Sequence, residues 1–523
     1  MKTDTNLLPN NPILLKKVIE KKDAIIADLN KGFTKINKEL AEKIAELAVV
    51  YEKFYLLQHK RYGKSSEADP RQGELFDEVE VSVTEDIPSA DNKDKNSTRR
   101  NKPIRKPLSA DLPREVIVHD LATADKNCID CGNPLHKMGE DKSEKLEFIP
   151  AQVKVIEHIR PKYSCRHCDK HSTEVSIVQA DVPATPIPKS FATASLLSHI
   201  IISKYQYSLP LYRQEKMFED LGIKLSRQTM SSWLLKSSQL LTPLYNRLQH
   251  ILLQQEVIQA DETSLKVIKS DKNKCYMWLY CTGADSPKNN YTDIPNIVLY
   301  NFNSSRSGSC AVDFLQGYSG FLQVDGYQGY AATSATLVGC WAHARRKFKE
   351  AQIVGKTLSG EKVWGLRQIK KLYCIESLIN KYSPVDKQAY RLKHSKALLD
   401  EYKVWLDEIF NKVLPKSAFG MAVAYNLNQW DKLIRYLDDG CLAIDNNRAE
   451  RAIKPFVIGR KNWLFSNTTG GAQSSAVMYS IVESAKANGL IPFRYLHHVL
   501  DKLGEGGDVE LDGLLPWNMR LAL

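Results

Sequence analysis

Three acidic residues occupy positions that solvation alone explains poorly. Asp261 follows the short run Glu256-Val257-Ile258-Gln259-Ala260, and Asp325 follows Gly320-Phe321-Leu322-Gln323-Val324. Glu450 lies within Asp445-Asn446-Asn447-Arg448-Ala449-Glu450-Arg451, which reads as a helix start because capping types precede apolar residues at helical spacing. The three are separated by 64 and 125 residues, so spacing alone does not join them. If the fold does, they form a hard-oxygen site for magnesium or manganese. Two such ions could activate a water or a 3′-hydroxyl and stabilise the leaving oxygen of a phosphodiester. Arg448, Arg451, Lys454, Arg460 and Lys461 would neutralise strand phosphates alongside, with Arg345 and Arg346 of the basic stretch Trp341–Phe348. Each acid also has an ordinary reading. An Asp beside a turn is usually a turn residue, and Asn447 with Glu450 resembles a capping box, with Lys454 one turn further as an ion-pair partner. Pro455 is expected to limit or kink the helix.

A second chemistry resides in the cysteines. Cys128-Ile-Asp-Cys131 and Cys165-Arg-His-Cys168 bracket 33 residues that contain two β-type runs. Four thiolates in two pairs meet the tetrahedral demand of zinc, and an intervening hairpin would bring the pairs together. His136, His167 and His171 are alternative ligands, and Arg166, His167 and Lys170 offer a secondary contact to DNA.

The chain has 523 residues, 43% of them hydrophobic, and a net charge of +12. That is enough for several domains with sizeable cores, and the positive balance suggests a nucleic acid or an anionic membrane surface as partner. No apolar run reaches the ~20 residues needed to span a bilayer, and the N-terminus lacks a signal peptide's apolar stretch. The expected location is therefore the cytoplasm, where 10 cysteines favour metal over disulfides.

Several elements must position these groups. Residues from Ile13 to Arg61 carry a heptad-like pattern that admits two readings, a coiled coil pairing two chains or a helix folded back on its own chain. Residues 63–107 read as a disordered, charge-rich linker. Leu209–Leu235 reads as helix, tight turn, helix, with Ser226 capping the second. Arg227, Gln228, Ser231 and Ser232 are polar and lie near its N-terminal half, while Met230, Trp233 and Leu234 can face inward. This suits a recognition helix, although any helical hairpin with a Gly turn shares the pattern. Apolar strands are expected up to Asp261, over Met277–Cys281 and Ile297–Phe302, up to Asp325, and over Thr336–Cys340. Val363–Leu437 is helical, Ala472–Ala487 and Pro492–Leu503 are further helices, and the apolar tail around Leu514 and Trp517 docks.

Taken together, these segments resemble the insertion-sequence-66 family of bacterial DDE transposases. The likeness spans nearly the whole chain. It includes Arg61-Tyr-Gly-Lys-Ser-Ser-Glu, both cysteine pairs, Ala260-Asp-Glu-Thr, Val324-Asp-Gly-Tyr, Gly339-Cys-Trp-Ala-His-Ala-Arg-Arg-Lys-Phe, Asp445-Asn-Asn-Arg-Ala-Glu-Arg and Gly459-Arg-Lys-Asn-Trp-Leu-Phe. The resemblance implies an RNase H-like core in which Asp261, Asp325 and Glu450 are the catalytic triad, and a helical insertion before the Glu-bearing helix. Cys340-x-x-His343 is similar to a signature of insertion-bearing DDE transposases. Lys454 stands where the family suggests Arg.

The expected fold is thus multidomain α/β: a coiled-coil helix (1–62), linker (63–107), zinc-ribbon-like module (108–180), helical DNA-binding region with helix-turn-helix (181–250), RNase H-like core (251–350 and 441–490) split by a helical insertion (351–440), and a docking segment (491–523). The expected function is cutting and joining of insertion-sequence ends in double-stranded DNA by two-metal phosphoryl transfer, as a homodimer or higher oligomer. The resemblance also implies two small accessory proteins as partners. The alternatives are a DNA-binding regulator with an inactive core and an RNase H-like nuclease that only hydrolyses.

Overall fold

The computed structural model describes residues 181–519 apart from 273, 290–292 and 355–359. It also describes 19–37, 152–164, 177–180 and the isolated positions 13, 16, 17, 39, 43, 116 and 133. Cys128, Cys131, Cys165 and Cys168, the acidic and basic linker, and most of the heptad run lie outside the described residues. Residues 19–37 are helical, with Ile25, Leu29, Phe33 and Ile36 exposed in the single chain. Residues 84–180 belong to a unit of their own. There β1 (Lys162–Ser164) pairs antiparallel with β2 (Ile177–Gln179).

The larger unit is built on a five-stranded sheet. Its strands are β3 (Val257–Leu265), β5 (Cys275–Cys281), β6 (Val298–Asn303), β7 (Phe321–Gln323) and β8 (Thr336–Val338), in the order β6-β5-β3-β7-β8. A short β4 (Val267–Lys269) sits outside it. β3 is central, with β5 and then β6 antiparallel on one side and β7 and then β8 parallel on the other. β5 is buried at every position except Tyr276, as an apolar run inside a layered sheet should be. β3 does not stop at Asp261 as the sequence suggested. It runs on through Asp261-Glu262-Thr263 to Leu265, because β5 pairs with it residue by residue, Asp261 opposite Leu279 and Leu265 opposite Cys275. Pairing outweighs the low strand preference of Asp and Glu.

Before the sheet come α1 (Ala194–Tyr205), α2 (Leu211–Asp220) and α3 (Arg227–Leu252). The turn between α2 and α3 contains Gly222 at a φ of 78°, where a Cβ would be strained. Ser226 caps α3 by accepting from the Thr229 amide at 3.2 Å. Met230, Trp233 and Leu234 are buried, and Arg227, Gln228 and Ser231 are exposed, which is the face division expected. After the sheet's small α4 (Gly308–Phe314) and the strand β8 come α5 (Trp341–Val354), α6 (Gly360–Leu378), α7 (Pro384–Phe410), α8 (Ala418–Asn428) and α9 (Trp430–Ile434). They enclose a second core of Trp341, Phe348, Tyr402, Leu406, Phe419 and Tyr436.

The chain then returns to the sheet. α10 (Asn447–Trp463) packs on β3 and β5. It continues through Pro455, which therefore does not limit it. β9 (Ser466–Thr468) pairs with β4. α11 (Thr469–Ala487) covers edge strand β6 with hydroxyls as well as methyl groups. Ser480 Oγ accepts from the Tyr300 amide at 2.8 Å, and Ser484 Oγ accepts from the Val298 amide at 3.0 Å. The edge's unpaired donors are thereby satisfied inside the protein. α12 (Pro492–Gly504) and the tail close the unit, with Leu514 and Leu515 buried and Arg247 paired to Asp512 at 2.6 Å.

Candidate functional site

Strand register brings the two aspartates together. β3 and β7 are parallel, with Gln259 opposite Gln323. Asp261 lies two residues further along β3, within the strand, and Asp325 two residues beyond the end of β7, which sets them side by side where the parallel strands lie about 5 Å apart. Gln259 and Gln323 bond to each other below them at 3.3 Å, and Gln323 also donates to the Ala443 carbonyl just before α10.

Glu450 reaches the same place because α10 is tethered at its start. The Asn446 side chain donates to the Ala260 carbonyl, immediately before Asp261, at 2.8 Å. The Asn446 amide donates to Cys340 Sγ at 3.2 Å. Asn447 turns back to Asp445, whose Oδ1 and Oδ2 accept at 3.2 and 2.9 Å. The capping-box reading of Glu450 is therefore not what its side chain does: Oε1 has no hydrogen-bond partner among the described residues and is buried.

The three carboxylates are electrostatic neighbours. Burial, then the charges of Glu262, Asp325 and Glu450, push the Asp261 carboxyl well above its usual range, although it keeps an opening to solvent. Burial also raises Glu450, reinforced by Asp445 and Asp325 and opposed by Arg346. Like charges gathered out of water resist ionisation until a cation compensates them. The donors, all oxygen, suit a hard divalent ion.

α5 lines the other side. His343 Nδ1 lies 3.4 Å from Glu450 Oε1, and Arg346 Nη2 lies 3.5 Å from Glu450 Oε2. Burial and the nearby Arg346 cation push the imidazole down to about 4, so it is neutral near pH 7. Arg346 Nη1 is 3.2 Å from His343 Nε2. Since a guanidinium only donates, Nε2 accepts and the ring proton sits on Nδ1, toward Glu450.

The sequence-predicted basic residues divide. Arg346 sits against Glu450, and Arg345 is part-exposed on the same helix. Lys454 is part-exposed and Lys461 exposed. Arg448 is buried and bonds Asp285 at 2.9 Å and the Thr282 carbonyl at 3.3 Å; Arg451 bonds the other Asp285 oxygen at 2.6 Å. Arg460 turns inward to Thr263 at 3.0 Å. These three arginines tie α10 to Asp285 and to β3, Arg448 from a buried position and Arg451 from an exposed one. Asp285 was missed because it is 163 residues from Arg448 and carries no local signal.

Glu262 was missed too. Next to Asp261 on a strand it points to the opposite face, where Arg306 Nε donates to it at 3.0 Å and Tyr330 at 2.7 Å. A charged residue inside an apolar strand was its only visible sign.

The family model described as "Transposase IS66 family" matches residues 189–474. "Zinc-finger binding domain of transposase IS66" matches 125–169, "Transposase C of IS166 homeodomain" matches 51–117, and "IS66 C-terminal element" matches 480–517. Two relatives from Sinorhizobium fredii (strain NBRC 101917 / NGR234) are similar over most of their length. "Uncharacterized protein y4jD" is 34% identical over 79% of this chain and 81% of its own. "Uncharacterized protein y4qI" is 32% identical over 93% of this chain and 91% of its own. With a family match over more than half its length and matches at both ends besides, the chain belongs to the IS66 transposase family.

Proposed function

We propose that this chain is a DDE-type DNA transposase that cuts and joins insertion-sequence ends, with Asp261, Asp325 and Glu450 as the triad of an RNase H-like core. The observation that carries the reading is the gathering of these three carboxylates from β3, the end of β7 and the first turn of α10. A mixed sheet ordered β6-β5-β3-β7-β8, with helices inserted between β8 and α10, agrees with that core. Magnesium or manganese held by the triad would activate the attacking water or 3′-hydroxyl and stabilise the departing 3′ oxygen.

The chain's own residues set the stage for that chemistry. Asn446 fixes the start of α10 against β3, so Glu450 is delivered at a defined height. Neutral His343 directs its Nδ1 proton at Glu450, and Arg346 offsets the carboxylate's charge. Arg306 and Tyr330 hold Glu262 away from the triad. Part-exposed Arg345 and Lys454 and exposed Lys461 would contact strand phosphates. The exposed Arg227, Gln228 and Ser231 would read bases in the terminal repeats.

Cys128, Cys131, Cys165 and Cys168 would hold a structural zinc. The N-terminal helix would join two chains or more, and two small accessory proteins of the same element would complete the assembly. A strand-transfer assay on labelled element ends with magnesium tests the proposal. Joined product is the expected result. Cut ends with no joining would indicate a nuclease, and binding with no cutting a regulator.

A further inference from the structure

We propose that Cys340, His343 and Glu450 form a second metal site, selective for a thiophilic divalent cation of the zinc class, sharing Glu450 with the triad. Cys340 follows β8, His343 lies in the first turn of α5, and Glu450 lies in the first turn of α10. One ligand atom from each lies within 4.8 Å of the other two. The 3.4 Å between His343 Nδ1 and Glu450 Oε1 is close to the spacing of two ligands on one tetrahedral zinc, given bonds of about 2.0–2.1 Å. Both atoms are buried, face each other and lack a hydrogen-bond partner among the described residues. The Asn446 amide already donates to Cys340 Sγ, the kind of outer contact that orients a metal ligand.

The donor set decides the ion. Thiolate and imidazole favour zinc, cobalt or cadmium, whereas magnesium prefers oxygen alone. At present Arg346 supplies the positive charge from beside the three donors. A bound cation replaces that charge: Cys340 releases its thiol proton to solvent as the thiolate binds, His343 moves its proton from Nδ1 to Nε2, and Arg346 gives up its contacts to His343 Nε2 and Glu450 Oε2 and turns aside. Among the described residues, Arg346 Nη2 is held only by its 3.5 Å ion pair with Glu450 Oε2, which the cation replaces. The fourth position is left to water. With Glu450 engaged here, it is withdrawn from the triad, so zinc inhibits magnesium-dependent DNA cleavage. That consequence rests on the proposed function; the binding does not.

The test is zinc content of the full chain after equilibrium dialysis against zinc, for wild type, Cys340→Ser and His343→Gln. Comparing the same chain with and without one ligand cancels any zinc held by the other cysteines. Thermal melts establish that each variant is folded, with Cys340→Ala as a second substitution at that position. We expect one more zinc per chain in the wild type than in either variant. Where magnesium-dependent cleavage is measurable, zinc should inhibit the wild type at a concentration at least about tenfold lower than Cys340→Ser, equivalent to about 1.4 kcal/mol. Equal zinc in all folded variants overturns the site. Equal inhibition of wild type and Cys340→Ser overturns the link to Glu450. A one-zinc difference with no cleavage under any condition supports the site and refutes the proposed function instead.

Discussion

Asp261 stands among Glu262, Asp325 and Glu450, and its carboxyl is raised first by burial and then by those charges. The sign of the consequence follows from linkage. Between the ordinary carboxylate range near about pH 4 and the raised folded value, the folded chain holds more protons than the unfolded chain. Stability therefore falls as pH rises through that window. Without divalent ions, Asp261→Asn should melt higher than wild type near pH 8, by about 1–2 °C if the gain is about 1 kcal/mol. The difference should narrow toward pH 5, and magnesium should stabilise wild type more than the variant; differential scanning calorimetry with and without magnesium reads all three. At this scale the sequence was informative about residue type and poor about partners. Asp261 and Asp325 stood out as acids after short apolar runs, and Glu450 as an acid at a helix start. The roles of Arg448 and Arg451 did not, because Asp285 meets them only after the sheet forms.

Elements were legible where pattern and pairing agree. The division of α3 into an exposed Arg227, Gln228 and Ser231 face and a buried Met230, Trp233 and Leu234 face follows from helical periodicity. Arg227→Ala and Gln228→Ala should each lower the preference for element ends over random DNA, by about 1–3 kcal/mol for a base contact. Equal loss on both DNAs in a competition gel shift would mean contact with phosphate only. The extension of β3 to Leu265 was not legible, since it depends on a ladder with β5 that no local preference encodes. Nor was the anchoring of the segment leading into α10. Buried Arg391 on α7 bonds Glu376 at 2.7 Å and donates to the carbonyls of Tyr436, Asp439 and Leu442 at 2.8, 3.0 and 2.9 Å. Arg391→Met strands Glu376 and three carbonyls, and should cost about 3–5 kcal/mol in urea unfolding. The same change should reduce magnesium-dependent cleavage, because Glu450 is reached through that segment.

Across the whole molecule, the order of strands, inserted helices and returning helix was anticipated in outline. The reason is that each strand is a short apolar run and each inserted helix is amphipathic. The meeting of residues 64 and 125 positions apart was not readable, since it arises from the parallel register of β3 with β7 and the Asn446 tether. Elsewhere in the chain, purified protein should contain zinc in proportion to chain, and Cys128→Ser should lose about one equivalent by elemental analysis. The central claim is that the three gathered carboxylates perform phosphoryl transfer on DNA. Its most direct measurement is magnesium-dependent cleavage and joining of labelled element ends by wild type and Glu450→Gln, beside a gel shift on the same DNA. The substitution keeps size and removes one charged ligand. Cleavage and joining should fall by at least about 100-fold, on the order of 2.7 kcal/mol of barrier, with DNA binding retained. Wild-type cleavage by Glu450→Gln would contradict the account.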